Sequence, residues 1–333
     1  MSETTHSDFP IDAVIAYVDG DDPVLKAKRY PYSHNGKEFQ YEDVASDVRY
    51  ADDGEIKYCV ASILKFAPWI RTIYVLTDNQ QPPVQEFADK YFPNRKTEIK
   101  IVDHKDACAG VYEQYLPVFN TNSVETMVWR IPGLSEHYIY FNDDFLFVNP
   151  VKPEDFFDNG KIVAYVRPYS YKKVARKRFR KSLLPGHHEI RWDYYMINSV
   201  ALVGEKKGMF PYLGHVPHAQ EKGLFAQYYQ EHEDVMIKNL DCRFREAHQY
   251  NPQLLNYLLA KKQGRLIEKP LLDFIASACP KPWRGKSYFA KKIASLNKKP
   301  QAIFGCINNL HRGSEQDKAL AKKWLNSKIG LDL

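Results

Sequence analysis

Nowhere along the 333 residues do about eighteen apolar side chains run together, so the sequence offers no candidate membrane-spanning helix. Cysteine is scarce. Cys59, Cys108, Cys242, Cys279 and Cys306 make an odd five, and no two stand at metal-ligand spacing, which argues against a disulfide framework and against a zinc knuckle. They read as reduced thiols of a cytoplasmic protein, most of them buried. The polar opening from Met1 to Phe9 lacks the apolar stretch of a secretory signal. Internal repeats and low-complexity tracts are absent. No zinc finger or ribonucleoprotein motif accompanies the basic charge, so nucleic acid is not an expected partner.

What is present describes a globular chain, 44% hydrophobic and 14% aromatic. IDAVIAYV (11–18) is an apolar run rich in β-formers, closed by a turn at Asp19 to Pro23. A helix is predicted over 53–67, with Asp52 and Glu55 as a capping box and Pro68 as its stop. Strands follow at 71–77 and 98–102. A helix over 123–131, opened by Asn122 with Glu125 as its capping partner, precedes a strand at 137–141. Alternation of this kind predicts an α/β fold, a Rossmann-like layer around a mostly parallel sheet. The second half is less regular: strands at 161–166 and 196–203, a helix from Pro252 to Lys262, and helical additions ending in a tail helix. The expected organisation is a flexible leader over 1–10, one domain over 11–313 with a basic excursion near 167–195, and a C-terminal helix over 314–333.

The net charge of +6 is unevenly spread. Lys172, Lys173, Arg176, Lys177, Arg178, Arg180 and Lys181 crowd one stretch, and a second basic region runs from Lys281 to Lys299. A solvated face explains such runs; so does attraction to an anionic membrane surface or an anionic polymer.

Two acidic turns fall where such a sheet binds ligands, beyond the carboxyl ends of strands. Asp19-Gly20-Asp21-Asp22-Pro23 is also what ordinary turns are made of. Asn142-Asp143-Asp144 lies between two apolar runs, where adjacent carboxylates are costly to desolvate without a ligand. Carboxylate oxygens suit a hard divalent cation, and that cation suits a pyrophosphate. His215, preceding Val-Pro-His, reads by itself as a structural hydrogen-bonder. His187-His188-Glu189 lacks the helical spacing of a metal tract.

IDAVIAYVDGDDP (11–23), the stretches DGEIKYCVASILKFAPWIRTIYVLTDNQQPP, IVDHKDA, LPVFNTNSVETMVWRIPGLSEHYIYFNDDFLF and VKPEDFF between Asp53 and Phe157, GHVPH with the later Phe244-Arg245, and FGCINN (304–309) come in the order of four regions of one family. The chain resembles the Stealth proteins, which include bacterial capsule polymerases and the animal lysosomal-enzyme N-acetylglucosamine-1-phosphotransferase. The resemblance implies a fold like that of type A glycosyltransferases. It also implies transfer of hexose-1-phosphate from a nucleotide-sugar, UDP-linked, onto a polysaccharide acceptor, with Mg²⁺ or Mn²⁺ as cofactor. Asp143 and Asp144 are then metal ligands and base. His215 and Arg245 act on the phosphates, and Asp19, Asp22, Asn142 and Asn308 shape the substrate site. Arg49 and Lys57 are further cations for phosphate, and Glu125 is read as a helix cap.

Two positions depart from the family pattern. Ala61 stands where the family has Arg, and Asn309 where it has Asp, which removes one cation and one possible ligand. The absence of eukaryotic targeting modules favours the capsule branch, in the cytoplasm and peripheral to the inner membrane face. An ordinary glycosyltransferase of similar fold and a non-catalytic polysaccharide-binding relative are the rival readings.

Overall fold

A computed structural model describes residues 9–33, 50, 53–184, 190–285 and 287–331. Its strands are β1 (Ile11–Ala16), β2 (Thr72–Thr77), β3 (Glu98–Asp103), β4 (His137–Asn142), β5 (Phe145–Phe147), β6 (Phe157–Asp158), β7 (Lys161–Ser170), β8 (Met209–Leu213), β9 (His218–Glu221), β10 (Leu266–Pro270), β11 (Ile275–Ala278) and β12 (Phe304–Ile307). β1 and β2 are buried on both faces along almost their whole length, as the central strands of a parallel sheet are. The central sheet has the order β3-β2-β1-β4-β9. β3, β2, β1 and β4 are parallel, with Ala13 of β1 opposite Ile73 on one side and Ile139 on the other. β9 closes the edge antiparallel to β4, bringing His218 opposite Tyr140. The chain steps outward from β1 to β3, then returns to lay β4 on the other side of β1. That reversal makes the β1/β4 junction the topological switch point of the sheet, where its ligand crevice opens.

Two smaller sheets extend this core. β10-β7-β6, with β8 also on β7, forms one; β11-β12-β5 forms the other. β12 runs antiparallel to β5 with Cys306 opposite Phe145, which ties the Asn142–Asp144 turn to a segment far along the chain.

The predicted alternation is observed, with two corrections. Residues 196–203, expected as a strand, lie in and just beyond the helix Trp192–Leu202. Seven of the eleven residues of that helix are buried and none is exposed, and an apolar run with no exposed face reads alike for a buried strand and a buried helix. The basic excursion contains an ordered helix, Tyr171–Ser182, whose N-cap Ser170 accepts from the Lys173 backbone. The helix expected over 123–131 begins earlier, at Thr121, and its N-cap is Asn120, whose Oδ1 accepts from the Ser123 amide at 3.2 Å. Glu125 is therefore not the capping partner.

The helix Glu55–Phe66 starts at Gly54 in the left-handed region; the expected cap Asp52 lies outside the described residues. The helix Glu315–Ile329 is opened by a capping box of Ser314 and Asp317, and Lys65 donates to the Ile329 carbonyl at 2.6 Å. No helix among the described residues is long and apolar enough to cross a membrane. All five cysteines are free, four of them buried and Cys279 half-buried.

Candidate active site

At the β1/β4 switch point a cavity of about 220 Å³ opens. Ala16 and Tyr17 come from the end of β1, Asp78 from the end of β2, His104 from the end of β3, and Asn142, Asp143 and Asp144 from the turn after β4. The opposite wall carries Thr121 and Arg245. Two hydrogen bonds set that wall: the Phe119 amide donates to the Arg243 carbonyl at 2.7 Å, and Asn120 Nδ2 donates to the Cys242 carbonyl at 2.6 Å. Arg245 itself donates to Thr121 Oγ1 at 3.4 Å. The fold thus gathers Asn142, Asp143, Asp144 and Arg245, four of the expected residues, around one space.

Asp143 and Asp144 offer hard oxygen donors on the wall of an open cavity. Such a pair fits Mg²⁺ or Mn²⁺, cations that leave their remaining positions to water and phosphate oxygens. Burial pushes the Asp144 carboxyl above its ordinary value, opposed by His215. Asp144, His215 and Cys306 each present a ligand-type atom within 4.8 Å of the others. The Cys306 thiol is pushed well up by burial and by Asp144, so it stays protonated and points its hydrogen at Asp144 Oδ2, 3.5 Å away. In this trio the Cys306 thiol is hydrogen-bonded to Asp144, the His215 imidazole lies beside the same carboxylate, and that carboxylate is shared with the Asp143–Asp144 pair. His215 stands on the loop between β8 and β9, exposed, on the side of the wall away from Arg245. His218, three residues on, is buried and pushed down to about 3 by burial and by His215, so it is a neutral core histidine.

Sequence reasoning missed the buried layer beneath the turn. Glu125 is 4% exposed, and burial raises it to about 8 against opposing contacts from Gln253, Tyr140 and Arg245. Tyr140 donates its hydroxyl proton to Asn142 Oδ1 at 2.8 Å, and Asn251 Nδ2 donates to Glu125 Oε2 at 3.5 Å. Tyr140 and Glu125 lie together in the buried layer under the acidic turn. The capping-box spacing concealed Glu125; burial two residues into a helix wall is visible only in three dimensions.

The other expected residues lie elsewhere. Asp22 caps the helix Pro23–Ser33, accepting from the Val24 amide at 2.8 Å and from Gln80 Nε2 at 3.0 Å. The Gln80 bond is the main reason its carboxyl sits below the usual range. Asp19 accepts from the Asp21 amide at 2.8 Å, and its backbone is gripped by Gln80 at both ends. Both carboxylates hold the turn that follows β1, and neither is on the cavity wall. Gly20 is required there: a Cβ would lie 2.3 Å from the Tyr50 carbonyl oxygen. Lys57 is half-buried on its helix, Ala61 is fully buried in the core, and Arg49 lies outside the described residues, as does His187-His188-Glu189. Asn308 lines a second cavity with His215. Asn309 takes the left-handed conformation, with φ of 55°, and turns its amide towards Cys279.

Over residues 49–165 the chain matches the family model described as Stealth protein CR2, conserved region 2. It is 27% identical over 332 residues to the receptor polysaccharide phosphotransferase WefC of Streptococcus gordonii, covering 93% of each protein. It is 30% identical over 262 residues to the capsular polysaccharide phosphotransferase cps1A of Actinobacillus pleuropneumoniae, covering 78% of this chain and 66% of that protein. Among solved structures, that of the galactosyltransferase LgtC aligns over 95% of both chains at 13% identity with a TM-score of 0.42. That likeness is too slight to carry an argument, and the fold rests on the strand order given above.

Proposed function

This chain belongs to the Stealth family, and on that premise we propose that it transfers hexose-1-phosphate from a nucleotide-sugar to a hydroxyl of a capsular or exopolysaccharide acceptor. The observation that carries the reading is the switch-point cavity, whose lining brings two adjacent carboxylates and the Arg245 guanidinium to one space. Arg245 is a two-pronged donor suited to a diphosphate. Deeper in the same cavity, Asp78 Oδ2 and His104 Nδ1 are buried without hydrogen-bond partners, and the polar edge of a nucleobase would satisfy such atoms. Asp143 and Asp144 would hold Mg²⁺ or Mn²⁺, which would supply charge neutralisation for the diphosphate.

In the reaction the acceptor oxygen bonds to the phosphorus that carries the sugar. The bond from that phosphorus to the bridging oxygen breaks, and the nucleoside monophosphate leaves with the electron pair. The hydroxyl proton passes to His215, placed by its neighbour Asp144 at the edge of the cavity. Arg245 holds the phosphate oxygens as their charge develops. Analysis of the released nucleotide tests the reading: a nucleoside monophosphate is expected, and a nucleoside diphosphate would identify an ordinary glycosyltransferase.

A second reading concerns where the enzyme works. On the helix Tyr171–Ser182 and its C-cap, Arg176, Phe179, Arg180 and Leu183 stand at helical i, i+3, i+4 and i+7 spacing, so they share one outward face. Phe179 and Leu183 are 64% and 66% exposed. Cations flanking exposed apolar side chains suit an anionic membrane surface, where the apolar groups gain a partner that a hydrated polymer does not offer. Peripheral contact with the inner membrane face is the proposal this pattern supports.

A further inference from the structure

Behind the wall formed by Asp144, His215 and Cys306 lies a second cavity of about 290 Å³, near the size at which small-molecule sites begin. Asp144 lines the first cavity, while His215 and Cys306 line the second, and their ligand-type atoms lie within 4.8 Å of one another. Two spaces therefore meet at one acid–imidazole pair. A transferase needs that arrangement, since donor and acceptor must approach a common proton-accepting group from different sides.

The second cavity is built differently from the first. Its floor is β11 and β12, through Ser277 and Cys306, and its rim is the loop that carries His215. The helix Tyr288–Leu296 forms the remaining side, where Tyr288 and Lys292 stand one turn apart on the same face. Lys281 and Asn308 complete the polar lining. Two lysines line the cavity, and no Asp or Glu does so among the described residues. A tyrosine ring for a sugar face, an amide for its hydroxyls and two ammonium groups for phosphate make a consistent set.

We infer that this cavity is the acceptor subsite, and that it takes the end of a glycan already carrying a phosphodiester. The inference rests on the sugar-phosphate reading above, for such an enzyme leaves phosphodiesters in its product and meets them again in a growing chain. Lys281 and Lys292 then recognise the phosphate of the preceding unit while the terminal hydroxyl lies at His215. The basic region from Lys281 to Lys299 thereby acquires a ligand in place of solvent.

The test uses the full chain and two synthetic acceptor oligosaccharides of equal length, one joined by a phosphodiester before its terminal unit and the other by a glycosidic bond at the same place. In the Lys281→Gln/Lys292→Gln double variant, KM for the phosphodiester-bearing acceptor should rise about tenfold or more, as expected for loss of charged hydrogen bonds. KM for the phosphate-free acceptor and for the donor should stay unchanged. Ser277→Trp, which fills the cavity, should abolish transfer to both acceptors and leave donor-induced thermal stabilisation intact. Equal KM changes for the two acceptors, or undiminished transfer by Ser277→Trp, would overturn the assignment. Failure of the sugar-phosphate reading shows separately, as release of a nucleoside diphosphate, and leaves the comparison of acceptors standing.

Discussion

Replacing Glu125 with glutamine should change how stability depends on pH, and the structure sets both the sign and the size. In an unfolded chain this carboxyl titrates near 4.5; in the fold, burial raises it to about 8. Between those values the folded state keeps a proton that the unfolded state has lost. Stability is therefore greatest below the lower value, falls as pH rises through the window, and levels off above the upper one. Each unit is worth about 1.4 kcal/mol, so the window spans at most about 5 kcal/mol, and relaxation around the buried charge lowers that ceiling. Glutamine is nearly isosteric and cannot ionise, and its carbonyl oxygen can still accept from Asn251. Glu125→Gln should match the parent at pH 5 and exceed it by a few kcal/mol at pH 8.5. Urea midpoints of both proteins at several pH values provide the measurement, and other titrating groups cancel in the difference. Parallel curves for the two proteins would show that Glu125 is not held neutral in the fold.

Asp143→Asn and Asp144→Asn should each lower kcat by about a hundredfold or more with the fold intact, and a chelator should do the same to the parent; full turnover in excess chelator would remove the cation from the mechanism. Arg245→Lys should cost about 2.7–4 kcal/mol of transition-state stabilisation, read as a comparable fall in kcat with donor saturating, because an ammonium cannot reproduce a forked contact. Phe179→Ala with Leu183→Ala should weaken sedimentation with vesicles containing anionic lipid while leaving turnover of soluble acceptors unchanged; unaltered vesicle binding would return the basic helix to the role of a solvated face. Gly20→Ala should destabilise by about 1–3 kcal/mol, measured by denaturant unfolding, because the new methyl meets the backbone of Tyr50, which cannot swing aside like a flexible side chain.

Legibility followed the range of the interactions involved. The parallel sheet was readable because β1, β2 and β4 are short apolar runs bounded by turn residues, and those signals are local. The acidic turn after β4 was readable for the same reason: two charges between apolar strands stand out along the chain. Asp19 and Asp22 presented the same signal but stand off the wall of that cavity, in a turn where Gln80, fifty-eight residues beyond Asp22, bonds the Asp19 backbone and the Asp22 carboxylate. No local pattern announces that pairing. His215 and Arg245 were expected on one diphosphate, yet they line different cavities with Asp144 between them. Sequence order says that two residues matter to one reaction without saying on which side of the reacting atoms each one stands. Glu125 is the sharpest instance. Its spacing fits a helix cap, its burial comes from residues distant in the chain such as Tyr140, Asn251 and Gln253, and the charge it would carry as a cap is the one the fold suppresses. Where a polar residue satisfies a local rule and a distant burial at once, the burial decides its chemistry, because desolvating a carboxylate costs more than a cap returns.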